Sequence, residues 1–330
     1  MRLLVLSLLI WQCAGVANIG GFGVNRLKSR KDTFTEKVTQ VHRHYQQVRD
    51  HKHFVSVSDS SDDCLPVRSL YYNGSVLDNF ASTDDQIPWT GSQRYWINEE
   101  LWGGPGYPVF VFIGGEWEES CYSLKNGSMY IYDLAEEHQG LLVDVEHRFY
   151  GKSFPTDDTS LDSLEYLTSE QALADLARLL TYVMETYNTT SSKVITVGGS
   201  YSGNLAAWFR LKYPSITTGS IASSGPLTAE INFLEYMQVV AESINYYSGS
   251  DCNNALQVAA ETLLTKNRTD LRTDFKTCGP VVGNDDITIL MSNLMGNIQG
   301  VVQYNNPNDG SFNINDMCDI MLNGIHNQRS

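Results

Sequence analysis

An α/β fold built on a mainly parallel sheet, with helices on both faces, is what the sequence predicts. Three observations carry that expectation. Tyr107-Pro108-Val109-Phe110-Val111-Phe112-Ile113 and Leu141-Leu142-Val143-Asp144-Val145 are almost unbroken apolar runs of strand length, as in strands buried on both faces. Stretches with helical spacing of apolar residues lie between successive strands, which is the pattern of crossover connections. A glycine- and serine-rich turn, Gly198-Gly199-Ser200-Tyr201-Ser202-Gly203, passes from a strand into a helix. With 330 residues, 42% of them apolar and 11% aromatic, the chain can bury a large core, which excludes disordered, collagen-like and small disulfide-scaffold classes.

The elements follow in order. Met1-Arg2, the apolar run from Leu3 to Trp11 and the small residues Ala14 to Ala17 predict a signal peptide over residues 1–17. The run is short for a membrane span of roughly 20 residues, and no later stretch is long and apolar enough, so no integral membrane segment is expected after signal removal. Residues 18–75 read as an N-terminal extension. Its stretch from Arg26 to Lys52 carries eight Lys/Arg against three acids. His42, His44, His51 and His53 lie in or beside that arm without supporting carboxylates and read as solvated side chains, so no metal is expected. From about Val76 turn signals alternate with apolar runs. After the strands ending at Ile113 and Val145, Thr168-Ser169-Glu170-Gln171 predicts a capping box. It opens a helix with Leu173, Leu176, Leu180, Val183 and Tyr187 on one face. Lys193 to Val197 is a third strand, Leu205 to Tyr213 a helix stopped by Pro214, and Gly219 to Ser223 a fourth strand. Beyond Pro226 the period turns helical, through Leu234 to Ile244 and Cys252 to Leu264, so residues 229–330 read as a helical insertion or cap.

Thirty-eight acids against 23 bases give a net charge of −15, which repels phosphates and disfavours nucleic acid as a partner. Asn73, Asn126, Asn188 and Asn267 each open an Asn-x-Ser/Thr acceptor for glycosylation. Removing the signal would leave Cys64, Cys121, Cys252, Cys278 and Cys318, an odd number in an oxidising compartment and without zinc spacing, so structural disulfides with one unpaired cysteine are expected.

The turn at 198–203 is where the chemistry points. A serine on a tight strand-to-helix turn is the arrangement of a nucleophile elbow in an α/β-hydrolase: small neighbours let the backbone turn sharply and lift the hydroxyl above the sheet. Ser200 is the nucleophile candidate and the N–H of Tyr201 one oxyanion donor. Ser202 stands where a second glycine is usual, and Gly203 follows. A Walker-type lysine is missing, which disfavours a phosphate loop. A second donor should come from the loop after an earlier strand, and Gly115 in Gly114-Gly115-Glu116-Trp117 is the candidate. Glu116 reads equally as a solvated loop acid or as a ligand for a cationic group such as a free amino terminus. His147, within Glu146-His147-Arg148, precedes the serine in the chain, whereas hydrolase order puts acid and histidine after it, so it reads as a structural hydrogen-bonding residue.

These residues stand among further motifs: Leu77-Asp78-Asn79-Phe80, Gln93-Arg94-Tyr95, Glu146 to Gly151, Leu167-Thr168 with Glu170-Gln171-Ala172, and Ser223-Ser224-Gly225-Pro226. Taken in order from Val76 to Cys252, the chain resembles the serine peptidases that include lysosomal prolyl carboxypeptidase, dipeptidyl peptidase II and thymus-specific serine protease, most closely the last group. Asn79 stands where that family has histidine, and Trp117 where it has glycine. The resemblance implies an α/β-hydrolase core, begun here over residues 76–228, with a helical cap over 229–330, both incomplete. It also implies a secreted or lysosomal exopeptidase without a cofactor that cuts short peptides near proline through a Ser200 acyl-enzyme. The family's aspartate and histidine lie beyond the cap. After Ser200 the sequence holds only His326, without a family motif around it, and Asp251, Asp270, Asp274, Asp285, Asp286, Asp309, Asp316 and Asp319, none singled out. The chain therefore reads as the N-terminal portion of such a peptidase. An inactive homologue acting as a secreted binding glycoprotein, or an esterase on the same elbow, are the alternatives.

Overall fold

The computed structural model describes residues 64–308 and 310–326, which fall into two units, 64–229 and 230–326. The expected signal peptide and basic arm lie outside the described residues. In chain order the first unit contains β1 (Arg68–Tyr72), β2 (Gln93–Asn98), β3 (Val109–Ile113), α1 (Tyr130–His138), β4 (Leu141–Val145), α2 (Leu161–Leu164), α3 (Ser169–Thr186), β5 (Val194–Gly199), α4 (Tyr201–Lys212) and β6 (Gly219–Ser223).

The strands form one sheet in the order β1-β2-β4-β3-β5-β6. The β4–β3, β3–β5 and β5–β6 pairs are parallel, whereas β1–β2 and β2–β4 are antiparallel. The sheet is thus mixed, with a parallel half that matches the apolar runs and an antiparallel half that they did not announce. Strand periodicity divides the core between two faces. Val109, Val111, Ile113, Leu141, Val143 and Val145 pack on one face against α3 and α4 through Leu173, Leu176, Leu180, Leu205 and Phe209. Phe110, Phe112, Leu142 and Trp96 pack on the other against Leu124 and, from α1, Ile131, Tyr132 and Ala135. Burial on both faces is why β3 and β4 carry apolar residues at every position but Asp144.

At the start of α3 the capping box is only half formed. Thr168 Oγ1 accepts from the Gln171 N–H at 3.2 Å, but the Gln171 side chain turns away from the helix start. Its Oε1 accepts from the backbone and side-chain nitrogens of Asn79, and its Nε2 donates to Asp78. The glutamine is therefore used to fasten the Asp78-Asn79 segment to α3.

The second unit contains α5 (Leu234–Ser248), α6 (Ser250–Thr265), α7 (Arg268–Phe275), α8 (Asn284–Gln303) and α9 (Ile314–His326), with no strand among the described residues. It has two apolar clusters, one around Val240, Ile244, Val301 and Met317 and one around Leu263, Leu271 and Leu290. Disulfides join Cys252 to Cys318 in this unit and Cys64 to Cys121 in the first. No cysteine is a free thiol among the described residues. No described helix is long and apolar enough to cross a membrane.

Candidate active site

β5 ends at Gly199 and α4 begins at Tyr201, so Ser200 is the single residue on which the chain turns. Its backbone sits at φ 59° and ψ −130°, in a region that non-glycine residues rarely adopt and that costs roughly 1–3 kcal/mol unless the surroundings fix it. Here they do. The Ser200 N–H donates to the Ser223 carbonyl at 3.0 Å, and its carbonyl accepts from Asn204 N at 3.1 Å as α4 starts. A Cβ on Gly198 would lie 2.2 Å from the Ser202 carbonyl oxygen, and one on Gly203 2.7 Å from that of Ser223. Both obstacles are backbone, so only glycine lets the turn close. The outcome is an exposed Ser200 beside a fully buried Ser202.

Ser202, the departure from the usual glycine, has its own role. Its hydroxyl donates to the carbonyl of Ile113, the last residue of β3, and so ties the turn to the loop that begins at Gly114. A Cβ placed on Gly115 would come 3.5 Å from Ser202 Cβ and 3.2 Å from the Trp117 ring. The structure thus brings Gly115 against the turn that carries Ser200 and Tyr201, and lays Trp117 over it. Glu116 is half-buried, with a buried Oε2 that has no hydrogen-bond partner. Its negative charge acts on the hydroxyls of both Tyr150 and Tyr201.

Glu146, His147 and Arg148 follow β4, and each serves a different neighbour. The Glu146 carboxylate, fully buried, accepts from Arg94 Nη2 at 2.8 Å, Glu119 N at 3.1 Å, Lys152 N at 2.9 Å and Ser153 Oγ at 2.7 Å. His147 Nδ1 lies 2.7 Å from the Arg148 carbonyl, which can only accept, so Nδ1 carries the proton. Its Nε2 then accepts from the Tyr201 hydroxyl at 3.1 Å, and the Tyr201 oxygen accepts from Ser169 Oγ at 3.1 Å. Burial pushes the His147 pKa down to about 4, the Arg148 carbonyl opposes that shift, and the nearby Arg148 charge adds to it, so the ring is neutral. With both nitrogens occupied it has none to offer Ser200. Among the described residues no histidine hydrogen-bonds the Ser200 hydroxyl.

Several candidate acids have local work in the second unit. Asp286 accepts from the N–H groups of Val282 and Gly283 before α8, Asp274 pairs with Lys266, and Asp316 accepts from Asn313 N. Asp251 and Asp270 lie in the first turns of α6 and α7, where a negative charge favours the helix. Asp309 and the side chain of His326 lie outside the described residues. The four glycosylation asparagines are all exposed. No group of three or more metal-ligating side chains is found among the described residues.

The chain is 35% identical over 246 residues to the thymus-specific serine protease of Homo sapiens, covering 72% of this chain and 48% of that protein. It is 32% identical over 256 residues to the lysosomal Pro-X carboxypeptidase of Bos taurus, covering 74% and 50%. The chain therefore spans about half the length of the curated relatives it matches. A solved acylaminoacyl peptidase overlaps 48% of this chain and 23% of that one at 16% identity, with a TM-score of only 0.34. The model of the serine carboxypeptidase S28 family matches residues 75–329, most of the chain. A match of that extent places this chain in the serine carboxypeptidase S28 family of peptidases.

Proposed function

We propose that this chain carries the nucleophile half of an exopeptidase that hydrolyses short peptides near proline. In the reaction Ser200 Oγ attacks the scissile carbonyl carbon and a histidine base takes its proton. The oxyanion forms between the N–H groups of Tyr201 and Gly115. The base then protonates the leaving amine, and water releases the acyl group from Ser200. The resemblance to the family implies a histidine base and an aspartate that orients it, and neither role is assigned to a residue here. The strained backbone of the exposed Ser200, held by the close approaches at Gly198 and Gly203, is the observation that carries this reading. Residues 1–17 would be the signal peptide, 18–75 a basic extension, 76–228 the beginning of the hydrolase domain and 229–330 the cap. The thymus-specific and lysosomal Pro-X relatives support delivery through the secretory pathway, to the outside or to lysosomes, with sugars at the four exposed asparagines.

Reaction of the purified full chain with a fluorophosphonate probe tests this. Labelling is expected at Ser200, located by peptide mass spectrometry, and lost in Ser200→Ala. A second reading, an inactive homologue that binds peptides as a glycoprotein, is favoured by the lack of a described histidine on the Ser200 hydroxyl. It requires the opposite outcome, a folded chain without label under conditions in which a full-length relative reacts.

Glu116 supports release of an amino-terminal dipeptide over release of a carboxy-terminal residue, because a buried carboxylate oxygen without a partner suits a substrate ammonium. Where activity is assayed, Glu116→Gln is expected to raise KM for peptides with a free amino terminus by about tenfold or more, consistent with about 1.5–3 kcal/mol for a hydrogen bond to a charged group. Amino-acetylated peptides should be cleaved poorly by the parent. Equal KM for free and blocked peptides in both proteins would remove the assignment.

A further inference from the structure

We infer that His147 is a positioning residue for the acyl transfer proposed above: through the Tyr201 hydroxyl it holds the peptide unit between Ser200 and Tyr201 where the oxyanion needs it. The inference rests on that reading of Ser200 and Tyr201. Three segments distant in sequence meet at one phenol oxygen: His147 just after β4, Ser169 at the start of α3 and Tyr201 at the start of α4. The Tyr201 hydroxyl donates to His147 Nε2 and accepts from Ser169, so both of its hydrogen-bonding directions are fixed. The His147 and Tyr201 rings are also in contact, with centroids 5.7 Å apart, and Tyr150 meets His147 edge-on at 5.3 Å. Tyr201 is the residue immediately after the nucleophile. A ring clamped at its far end leaves its own backbone N–H little freedom to turn, which is the preorganisation that makes an oxyanion donor effective.

Only a neutral imidazole can do this, since an imidazolium has no lone pair for the Tyr201 proton. The groups around His147 keep it neutral. The Arg148 guanidinium beside it opposes a second positive charge. The hydroxyls facing it, Tyr150 from the following turn and Tyr201 from α4, remain protonated because burial raises both. α3 contributes the uncharged Ser169, and the charges of Glu116 and Glu170 act on the tyrosines. The clamp therefore stays closed down to about pH 4, through the range of an acidic compartment.

The test compares the full chain with Tyr201→Phe, His147→Leu and His147→Gln, each checked for folding by its melting temperature. The expected result is a second-order rate of fluorophosphonate labelling at Ser200 at least about tenfold lower in Tyr201→Phe and His147→Leu, with the final labelled fraction unchanged. His147→Gln keeps an acceptor and should recover part of the rate. Should His147→Leu not fold, Tyr201→Phe gives the same reading. Rates equal to the parent in the folded variants would overturn the inference. A parent that does not label at all defeats the proposed function, and nuclear magnetic resonance then decides this point. The Tyr201 amide resonance should move in both Tyr201→Phe and His147→Leu, and His147 Nε2 should stay unprotonated at pH 5 in the parent. An unmoved amide, or a protonated Nε2, would overturn it.

Discussion

Replacing Arg148 with leucine is expected to destabilise the first unit by roughly 3–5 kcal/mol, the range for removing one partner of a buried ion pair. Arg148 and Asp175 are both fully buried. The guanidinium donates to the two carboxylate oxygens through Nε at 2.6 Å and Nη2 at 2.7 Å. Its remaining protons go to the carbonyls of Leu77 and Tyr166 at 3.0 Å each and of Val76 at 3.3 Å. One side chain thus joins the end of β4, α3, the segment before Asp78 and the turn before α3. In Arg148→Leu the Asp175 charge stays buried and the Leu77 carbonyl loses its donor, whereas the Val76 and Tyr166 carbonyls keep Trp89 Nε1 and the Thr168 N–H, so two penalties add. Asp175→Asn leaves the Arg148 charge buried without its counter-charge, but an amide oxygen still accepts and the carbonyls of Leu77, Tyr166 and Val76 still receive the guanidinium, so it should cost less. The double variant Arg148→Leu with Asp175→Leu removes the stranded charge but leaves the Leu77 carbonyl without its donor, so it should recover part of the loss and fall short of the parent. Urea unfolding of the four proteins at one pH measures these differences. A loss under about 1 kcal/mol in Arg148→Leu would show that water reaches the site and that the pair is not sealed.

Arg148 also shows what could and could not be read in advance. The apolar runs gave β3 and β4 almost to the residue, because strands buried on both faces leave no doubt about their period. β1 and β2 passed unnoticed. Arg68-Ser69-Leu70-Tyr71-Tyr72 and Gln93-Arg94-Tyr95-Trp96-Ile97-Asn98 carry polar residues, and β2 buries its arginine because Glu146 and Glu118 receive it. A charge inside a strand becomes legible only when its partner, more than 20 residues away, is known. α4 was expected from Leu205 and begins at Tyr201, since Ser202 and Gly203 are weak helix formers held in place by contacts with Ile113 and Ser223. Ser200 was legible because its turn needs small residues at fixed offsets. Glu146, His147 and Arg148 were visible as a motif, but three consecutive side chains with three separate partners are assigned by the fold alone.

Stability of the full chain is expected to fall as pH rises from about 6.5 to about 8, and Asp144 is the main reason; between about pH 4 and 6.5 the lowered pKa of His147 acts with the opposite sign and offsets it. It stands on β4 with no exposure, one oxygen receiving Ser123 Oγ and the other without a partner. Burial pushes its pKa up to about 8, the Ser123 hydrogen bond and the Arg94 charge pulling it back and the Glu146 charge adding to the rise. Glu119, in the loop that carries Gly115, is shifted the same way, by burial first and then by the charges of Asp144 and Glu146. A carboxyl with a raised pKa in the folded chain keeps a proton that the unfolded chain, with an ordinary value of 3.8, releases. Its contribution is complete below the unfolded value, declines as pH rises, and is gone above the folded one. Asp144→Asn is neutral at every pH and nearly the same size, so its melting temperature should change much less between about pH 6.5, where His147 is neutral in both folded and unfolded chains, and about pH 8 than that of the parent. A variant that keeps the parent's full slope would place the effect elsewhere. Because Glu119 packs against Gly114, the same loss of protons acts on the loop beside Ser200 before the domain unfolds. Labelling of Ser200 should therefore weaken toward pH 8 in the parent more than in Asp144→Asn, which links the acid cluster to the nucleophile turn through one short loop.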